Sequence, residues 1–231
     1  MASGSKMIAR ANICATGVEY RRLNLPNEDR FLNRGVYYGA GASEAPLCSN
    51  KHIFVVGGGN SAGQAVMYFS SYAQKVTMLV RSSSLAASLS QYLLDRITNT
   101  KNVEVLFNSQ VSELQGDTNL QQITITNRQD GSTQQVDTQH LFICIGGVPN
   151  TEWAKDTNII RDKAGFLITG SDLLKNGCLD CWTLDRAPFP FYLEISVPGS
   201  FAAGDVRHGS VKRVASAVGE GAMAVTFVHK Y

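Results

Sequence analysis

The fold is decided by the stretch His52-Ile-Phe-Val-Val-Gly-Gly-Gly-Asn-Ser-Ala62 and the eighteen residues that follow it. Residues 52–56 form an apolar run long enough for a strand that is buried on both faces. After the glycines, apolar residues recur at the spacing of one helix face; these are Ala62, Ala65, Val66, Phe69 and Ala73. A second apolar run covers residues 76–80. Strand, turn, helix and strand in this order predict the βαβ crossover of a parallel sheet.

The segments beyond this crossover extend the same unit. Residues 85–97 have a helical pattern, and residues 103–107 and 140–145 are typical of buried strands. Short segments at 110–114, 120–127 and 134–137, which turn at Gly116-Asp117 and Asp130-Gly131, predict a β-meander. The sequence therefore predicts an α/β fold in which a Rossmann-like domain, residues 39–147, has a parallel sheet plus a β-meander. Residues 1–38 and 148–231 are interpreted as parts of a second domain into which the first is inserted.

The glycine turn carries the first functional signal. Gly57, Gly59 and Ala62 fit the pattern G-x-G-x-x-A, in which the first glycine permits a tight turn, the second lets a pyrophosphate approach the backbone, and the third small residue packs helix on strand. The helix N-terminus attracts phosphate, and Asn60 or Ser61 is expected to cap it. An ordinary glycine-rich turn is the alternative interpretation, but the flanking strand and helix favour dinucleotide binding.

The end of the second strand indicates which dinucleotide binds. An acidic residue there would hold the ribose diol of NADH, whereas an arginine accommodates the 2′-phosphate of NADPH. This chain has Val80-Arg81-Ser82-Ser83-Ser84, with no acid. We therefore expect NADPH, bound through Arg81 and Ser82. The alternative is that Arg81 is only a solvated surface charge.

Three further motifs lie near or in the outer segments. The first is a short strand that ends in Ala15-Thr-Gly17, and the second is a strand end that breaks at Gly146 before Pro149-Asn-Thr151. The third, residues 200–206, contains Gly204 and Asp205 and precedes a helical pattern at residues 211–229. Asp205 is suited to accept a hydrogen bond from a sugar-alcohol hydroxyl, and the following helix would direct its positive end beyond it.

Taken together, these motifs resemble the two-dinucleotide-domain flavoproteins, and most closely the low-molecular-weight thioredoxin reductases. The resemblance covers nearly all of the chain. It implies that FAD is the second cofactor and that Gly204 and Asp205 hold its ribityl side. It places Arg213 and Val214 near the flavin ring, and Thr16 and Gly17 near the FAD pocket. The implied reaction is hydride transfer from NADPH to FAD and onward to an unidentified acceptor.

The chain departs from that family in two ways. Thioredoxin reductases carry Cys-Ala-Thr-Cys where this chain has Gly39-Ala-Gly-Ala42, so the catalytic residues are unknown and the chain resembles the cysteine-free, reductase-like branch. The first FAD βαβ lobe also has no counterpart before Ala15. We therefore expect an incomplete FAD site, and a homodimer or another chain that supplies the missing lobe. The rival hypothesis is a non-enzymatic nucleotide-binding or interaction module without flavin.

Several residues outside the cofactor motifs are candidates for redox or proton-transfer chemistry. Cys178 and Cys181 have redox spacing but lie in a polar segment, so incidental loop cysteines are favoured over a dithiol or a metal site. His208 and Glu220, which flank the proposed flavin helix, are candidates for proton transfer or else surface residues. The other cysteines, Cys14, Cys48 and Cys144, have small or apolar neighbours and are interpreted as reduced packing residues.

Bulk composition limits the remaining function classes. The 231 residues are 44% hydrophobic, and 21 basic against 19 acidic side chains give a net charge of +2, which provides no electrostatic case for nucleic acid or membrane partners. No apolar run approaches the roughly 20 residues of a membrane span. We expect a cytoplasmic protein without a metal.

Overall fold

The computed structural model describes residues 8–39, 44–175 and 190–231. The chain divides into two compact units. The inner unit comprises residues 20–146. The outer unit comprises the residues up to Glu19 together with those from Gly147 onward.

The inner unit is built on a five-stranded parallel sheet. In chain order its strands are β3 (Val36–Tyr38), β4 (His52–Val56), β5 (Lys75–Leu79), β6 (Val103–Leu106) and β10 (Leu141–Ile143). Their order across the sheet is β3-β10-β4-β5-β6, with every neighbouring pair parallel. The predicted apolar strand 52–56 is therefore internal, with β10 on one side and β5 on the other.

Two helices, α2 (Asn60–Ser70) and α3 (Gln91–Asn99), cover one face of this sheet. The short α1 (Glu28–Phe31) buries Phe31 in the core on the opposite face. Alternate β4 residues Ile53 and Val55 are buried in one core with Phe69 of α2 and Leu93 of α3. This core buries the predicted apolar face of α2, which explains why the helix lies directly behind the glycine turn.

A β-meander covers the other face. Strands β7 (Ser109–Gln115), β8 (Gln122–Asn127) and β9 (Thr133–Asp137) are antiparallel, as the sequence predicts. Phe54 and Val56 of β4 are buried with Val111 and Ile123 of the meander. The sheet thus lies between two cores.

Two predicted boundaries differ from the structure. Residues 20–38 belong to the inner unit, not to the outer segment that was predicted to run to residue 38, because β3 pairs with β10. Helix α3 begins at Gln91 and not at Leu85. Serine side chains bond the intervening backbone: the Ser84 hydroxyl oxygen accepts the Ala86 N–H at 3.1 Å, and the Ser88 hydroxyl donates to the Leu85 carbonyl at 3.4 Å. Such local bonds favour turns over helix.

The outer unit holds two short strand pairs. Strands β1 (Asn12–Cys14) and β12 (Ser200–Ala202) are parallel, and β2 (Val18–Tyr20), whose last residue belongs to the inner unit, pairs with β11 (Gly147–Pro149). Its helices are the short α4 (Ser171–Lys175) and α5 (Val214–Lys230). Within the described ranges, no helix is long and apolar enough to cross a membrane.

Candidate functional site

The glycine turn between β4 and α2 is closely packed at its start. Gly57 has φ +145°, and a Cβ there would overlap the Cys144 carbonyl oxygen and lie 2.9 Å from the Ala62 Cβ. Ala62 itself is fully buried. Position 57 therefore requires glycine for reasons internal to the fold, as the motif predicts for a tight turn.

Gly59, at the other end of the turn, has different surroundings. Its backbone is extended, with φ −98° and ψ 179°, and a Cβ there would meet only the Ser88 carbonyl oxygen at 3.9 Å. Gly59 is also the N-cap of α2, which has no side-chain cap. The fold does not require glycine at position 59.

The predicted cap by Asn60 or Ser61 is wrong. The helix begins at Asn60 itself, so this residue is one position too late to act as N-cap. The Asn60 side chain instead accepts a hydrogen bond from the Ser90 N–H at 2.8 Å and so ties α2 to the start of α3. The N-terminus of α2, with its partial positive charge, is left without a competing side chain.

A cavity of about 440 Å³ opens where the glycine turn, the end of β5 and the end of β10 meet. Most of the residues predicted for the nicotinamide nucleotide line it; Gly57, Gly59, Asn60, Ser61, Arg81, Ser82 and Gly146 are all in the lining. The carboxyl ends of parallel strands meet here, which is the usual place for ligands in open α/β sheets. Topology thus brings together residues that are far apart in sequence.

The exit of β5 supplies the polar rim of this cavity. Arg81 is exposed, and the Ser82 hydroxyl donates to the Ser84 carbonyl at 2.7 Å. The sequence did not indicate two further residues. Ser88 lines the cavity and lies in a turn that was predicted to be helical. Arg128 contacts a lining residue from a distant hairpin, which gives no local signal: its Nη1 donates to the Arg81 carbonyl at 3.2 Å.

Cys144 also lines the cavity. Burial raises the pKa of its thiol to about 11, so the group is a neutral thiol near pH 7. Cys14, Cys48 and Cys144 are all free thiols, in agreement with their interpretation as reduced residues.

In the outer unit, two loops are joined by reciprocal hydrogen bonds. The Thr16 hydroxyl donates to the Asn150 carbonyl at 2.8 Å, and the Asn150 side-chain amide donates to the Thr16 carbonyl at 3.0 Å. Gly17 has φ +65°, and its carbonyl accepts the Asn150 N–H at 3.0 Å. The predicted Ala-Thr-Gly and Pro-Asn-Thr motifs therefore form one structural element.

Gly204 and Asp205 form a short 3₁₀ turn after β12. Gly204 has φ +77°, and its N–H donates to Glu220 Oε2 at 2.7 Å. The Asp205 side chain is half-buried, and its carboxylate accepts no hydrogen bond from any described residue. It therefore remains able to accept hydrogen bonds from a hydroxylated ligand.

Arg213 and Val214 lie at the start of α5, as predicted. Arg213 is the N-cap residue, and no side chain caps the helix. Val214 is 82% exposed, and Ala224 is the one residue of α5 classed as buried among those described. Much of the apolar surface of α5 is therefore exposed to solvent.

The structure changes the interpretation of the two proton-transfer candidates. Glu220 is bound to the buried Arg207 guanidinium, with Oε1 2.5 Å from Nη2. Burial alone would raise the pKa of Glu220, but hydrogen bonds from Arg207 and the Gly204 N–H outweigh it and lower the pKa. Glu220 is therefore a structural anion at neutral pH. His208 remains half-exposed, with Nδ1 2.7 Å from Asp162 Oδ2.

Cys178 and Cys181 lie outside the described residues. Within the described part, no group of three or more histidine, cysteine or acidic side chains is placed to hold a metal ion.

Known proteins are similar to this chain in both sequence and fold. Residues 2–221 match the pyridine nucleotide-disulphide oxidoreductases. The chain belongs to the pyridine nucleotide-disulphide oxidoreductase family. Membership confirms the predicted resemblance to thioredoxin reductases and the Rossmann-like α/β fold.

Individual relatives are similar over nearly the whole chain. A thioredoxin reductase of Listeria innocua is 33% identical and an NADH dehydrogenase of Bacillus subtilis is 32% identical, each over 99% of this chain. The thioredoxin reductase structure from Streptococcus pyogenes is 31% identical with a TM-score of 0.71, over 96% of this chain. The chain spans 65% of the Listeria relative, 40% of the Bacillus relative and 65% of the solved structure.

Proposed function

We propose that this chain binds NADPH in the cavity beside Gly57 and Arg81, as part of a flavoprotein that transfers hydride from NADPH to FAD. The observation that carries the proposal is the uncapped N-terminus of α2, where Gly59 and Asn60 line an open cavity at the carboxyl ends of the strands. A helix N-terminus with free N–H groups and its positive dipole end is a ready anion site. The pyrophosphate of a dinucleotide suits it in both charge and size.

The contrast between two glycines supports this assignment. Gly57 is required by the Cys144 carbonyl and by Ala62, whereas nothing in the fold requires glycine at position 59. A side chain at position 59 would occupy space next to the uncapped helix start. The presence of glycine at this position is explained if a phosphate approaches the backbone there.

Residues at the end of β5 favour NADPH over NADH. Arg81 lines the cavity, and residues 80–84 contain no acid to hold a ribose diol. The names of the relatives leave this choice open, since an NADH dehydrogenase is among them. The preference for NADPH therefore rests on Arg81 and on the absence of an acid beside it.

In the outer unit, the residues fit the ribityl part of a flavin. Asp205 offers a carboxylate without a bond to any described residue, next to the tight Gly204 turn. The flavin, when bound, supplies the hydride-accepting chemistry. The residues of this chain would bind and orient it, with Asp205 accepting from its hydroxyls and the positive end of α5 favouring negative charge nearby.

Nucleotide titration tests the first part of the proposal. Calorimetry with the full chain should show NADPH binding at least about tenfold more tightly than NADH, since a charge-assisted hydrogen bond contributes about 1.5–3 kcal/mol. Arg81→Ala should remove most of that difference. The matched control is Arg96→Ala, because Arg96 is also exposed but donates to the Tyr92 hydroxyl at 2.9 Å and lines a different groove. Equal affinities in the wild type would contradict the NADPH assignment.

A visible spectrum tests the flavin part. The chain has one glycine-rich dinucleotide turn, Gly57–Ala62, and the nicotinamide nucleotide would occupy it. We therefore expect the purified 231-residue polypeptide to hold little FAD. Flavin bound only when a partner or longer chain is present would support the oxidoreductase. No flavin in any such form, together with tight nucleotide binding, would favour a nucleotide-binding module instead.

A further inference from the structure

We propose that Arg128 is a specificity-determining residue of this site and binds the 2′-phosphate of NADPH together with Arg81. The inference rests on the proposed function, because it adds a contact to the same nucleotide. Arg128 follows β8 and lies 47 residues after Arg81 in the chain, yet its guanidinium Nη1 donates to the Arg81 carbonyl at 3.2 Å. A residue of the meander thus reaches the exit of β5.

Main-chain bonds fix Arg128 in this place. The hairpin that carries it is closed by the Asn127 N–H, which donates to the Ser132 carbonyl at 2.8 Å, and by the Gly131 N–H, which donates to the Asn127 carbonyl at 3.0 Å. The Asn127 side chain also accepts the Gln129 N–H at 2.8 Å. The turn is therefore tied by bonds on both sides of Arg128.

A second set of bonds ties this hairpin to the rim of the cavity. The Arg128 N–H donates to the Asn108 carbonyl at 2.7 Å, and the Asn108 N–H donates to the Ser82 carbonyl at 3.1 Å. The Arg128 side chain also donates to the carbonyl of Arg81, which precedes Ser82 in the chain. The three hydrogen bonds therefore close a ring. The positions of the two arginines are thereby coupled, and Arg128 does not depend on a long flexible loop.

The charges of Arg81 and Arg128 have no compensating partner in the described part of the chain. Among the described residues, neither Arg81 nor Arg128 forms an ion pair with a carboxylate. The acid on the same turn, Asp130, is held by Ser132, whose N–H and hydroxyl donate to it at 2.8 Å and 2.6 Å. An anion bound beside Arg81 and Arg128 would supply the counter-charge that both guanidinium groups lack among the described residues.

A phosphate monoester is the anion that fits best. The pyrophosphate is already accounted for by the glycine turn, and the end of the second strand is where the adenosine ribose lies in dinucleotide folds. A 2′-phosphate carries up to two negative charges and three acceptor oxygens, so it can receive donors from two guanidinium groups. Arg128 uses one N–H on the Arg81 carbonyl, which leaves its other donors for such a ligand.

The test compares nucleotides that differ only in the 2′-phosphate. Calorimetric titration of the full chain with NADPH, NADH, 2′,5′-ADP and 5′-AMP should be repeated for Arg128→Ala, Arg128→Lys and the control Arg96→Ala. In Arg128→Ala we expect about a tenfold loss of affinity for NADPH and 2′,5′-ADP. Affinity for NADH and 5′-AMP should change by less than about twofold, and Arg128→Lys should lose less than Arg128→Ala because it keeps the charge.

Each outcome decides a different point. A wild type that prefers NADPH, with the preference intact in Arg128→Ala, overturns the role of Arg128 but leaves the proposed function standing. An equal loss for NADPH and NADH in Arg128→Ala means that Arg128 only supports the Arg81 backbone, and also overturns the inference. A wild type without any NADPH preference overturns the proposed nucleotide assignment and this inference with it. Thermal unfolding of each variant shows whether a loss of binding reflects a loss of fold.

Discussion

The Arg207 guanidinium and the Glu220 carboxylate form a buried ion pair, with side chains that are 6% and 12% exposed. Glu220 lies on α5, and its second oxygen accepts the N–H of Gly204. Arg207 also donates to the Tyr192 hydroxyl at 3.1 Å, and its guanidinium lies 5.0 Å from the centre of that ring. The pair thus joins α5 to the turn that carries Asp205. The position of Asp205, which is the proposed flavin contact, therefore depends on Arg207 and Glu220.

The first prediction is that Glu220→Gln destabilises the outer unit. Glutamine keeps the shape of the side chain but leaves the Arg207 charge buried without a counter-ion, which costs about 3 kcal/mol. Both tryptophans of the chain lie after Gly147, so urea unfolding followed by tryptophan fluorescence reports on this unit. The matched control is Glu152→Gln in the exposed Lys155–Glu152 pair, where we expect no measurable change. Similar losses in the two variants would contradict the structural role of Glu220.

The second prediction concerns pH. The pKa of Glu220 is lowered in the folded state from its ordinary 4.5, despite burial, by its bonds to Arg207 and Gly204. A lowered folded-state pKa stabilises the fold fully above pH 4.5, and this contribution is lost as the pH falls through the folded-state value. The gap in urea midpoint between wild type and Glu220→Gln should therefore narrow from about pH 6 towards about pH 3. A constant gap over this range would show that the carboxylate charge is not the cause.

The third prediction separates the two glycines of the turn. Gly57→Ala should destabilise the inner unit by more than about 2 kcal/mol, because the new Cβ meets the Cys144 carbonyl and the backbone has a positive φ. Gly59→Ala should leave stability unchanged but weaken NADPH binding by about tenfold or more, since the methyl group occupies the space proposed for the pyrophosphate.

Hydrogen exchange of the β4 and β10 amides measures the stability of the inner unit, and calorimetry measures the binding. Normal NADPH affinity in a folded Gly59→Ala variant would place the pyrophosphate elsewhere.

The sequence predicted best the elements whose signals are local. The apolar run 52–56, the helical spacing of Ala62, Val66 and Phe69, and the turn glycines each report on a short stretch of chain, and the structure has β4, α2 and the meander where they were expected. The start of α3 was predicted too early because Leu85 and Leu89 are buried at helical spacing, although Ser84 and Ser88 bond the backbone of a turn there. Burial fixes the side chains, but local hydrogen bonds determine the backbone.

The residues that were missed depend on contacts across the fold. Arg128 reaches Arg81 only because the meander packs on the sheet, and no pattern within either segment indicates it. The same holds for Glu220, which the sequence predicts as a candidate for proton transfer. In the structure Arg207, 13 residues away, binds the Glu220 carboxylate and stabilises its charged form. The role of a titratable residue near a motif cannot be read from sequence, because the group that it contacts in the fold determines its protonation state.

The fourth prediction uses two cysteines as reporters. Burial raises the pKa of Cys48 and of Cys144 to about 11, so alkylation of both should be slow near neutral pH and accelerate about tenfold per pH unit below 11. Only Cys144 lines the cavity, so saturating NADPH should protect Cys144 and leave Cys48 unaffected. Peptide-resolved mass spectrometry distinguishes the two sites. Protection of both thiols to the same degree would indicate a general tightening of the fold and not a ligand in the cavity.

The last prediction is that this chain does not reduce thioredoxin with NADPH, even when FAD is supplied. The thioredoxin reductases that it resembles pass electrons through a dithiol, and a dithiol relay requires a thiolate that attacks a disulfide. Gly39 and Ala42 stand at those two positions and have no sulfur. Of the thiols that the structure describes, Cys48 and Cys144 are held neutral by burial at ordinary pH, and this disfavours them as substitutes.

The measurement is thioredoxin-dependent oxidation of NADPH, with a genuine thioredoxin reductase as the positive control for the assay. The variants Cys178→Ser and Cys181→Ser test the remaining closely spaced pair, because a redox centre made of these two thiols requires both. Turnover that is present in the wild type and lost in each of these variants would overturn the prediction and assign the relay to Cys178 and Cys181. Turnover that survives both substitutions would also overturn it, and would direct attention to Cys14, Cys48 and Cys144.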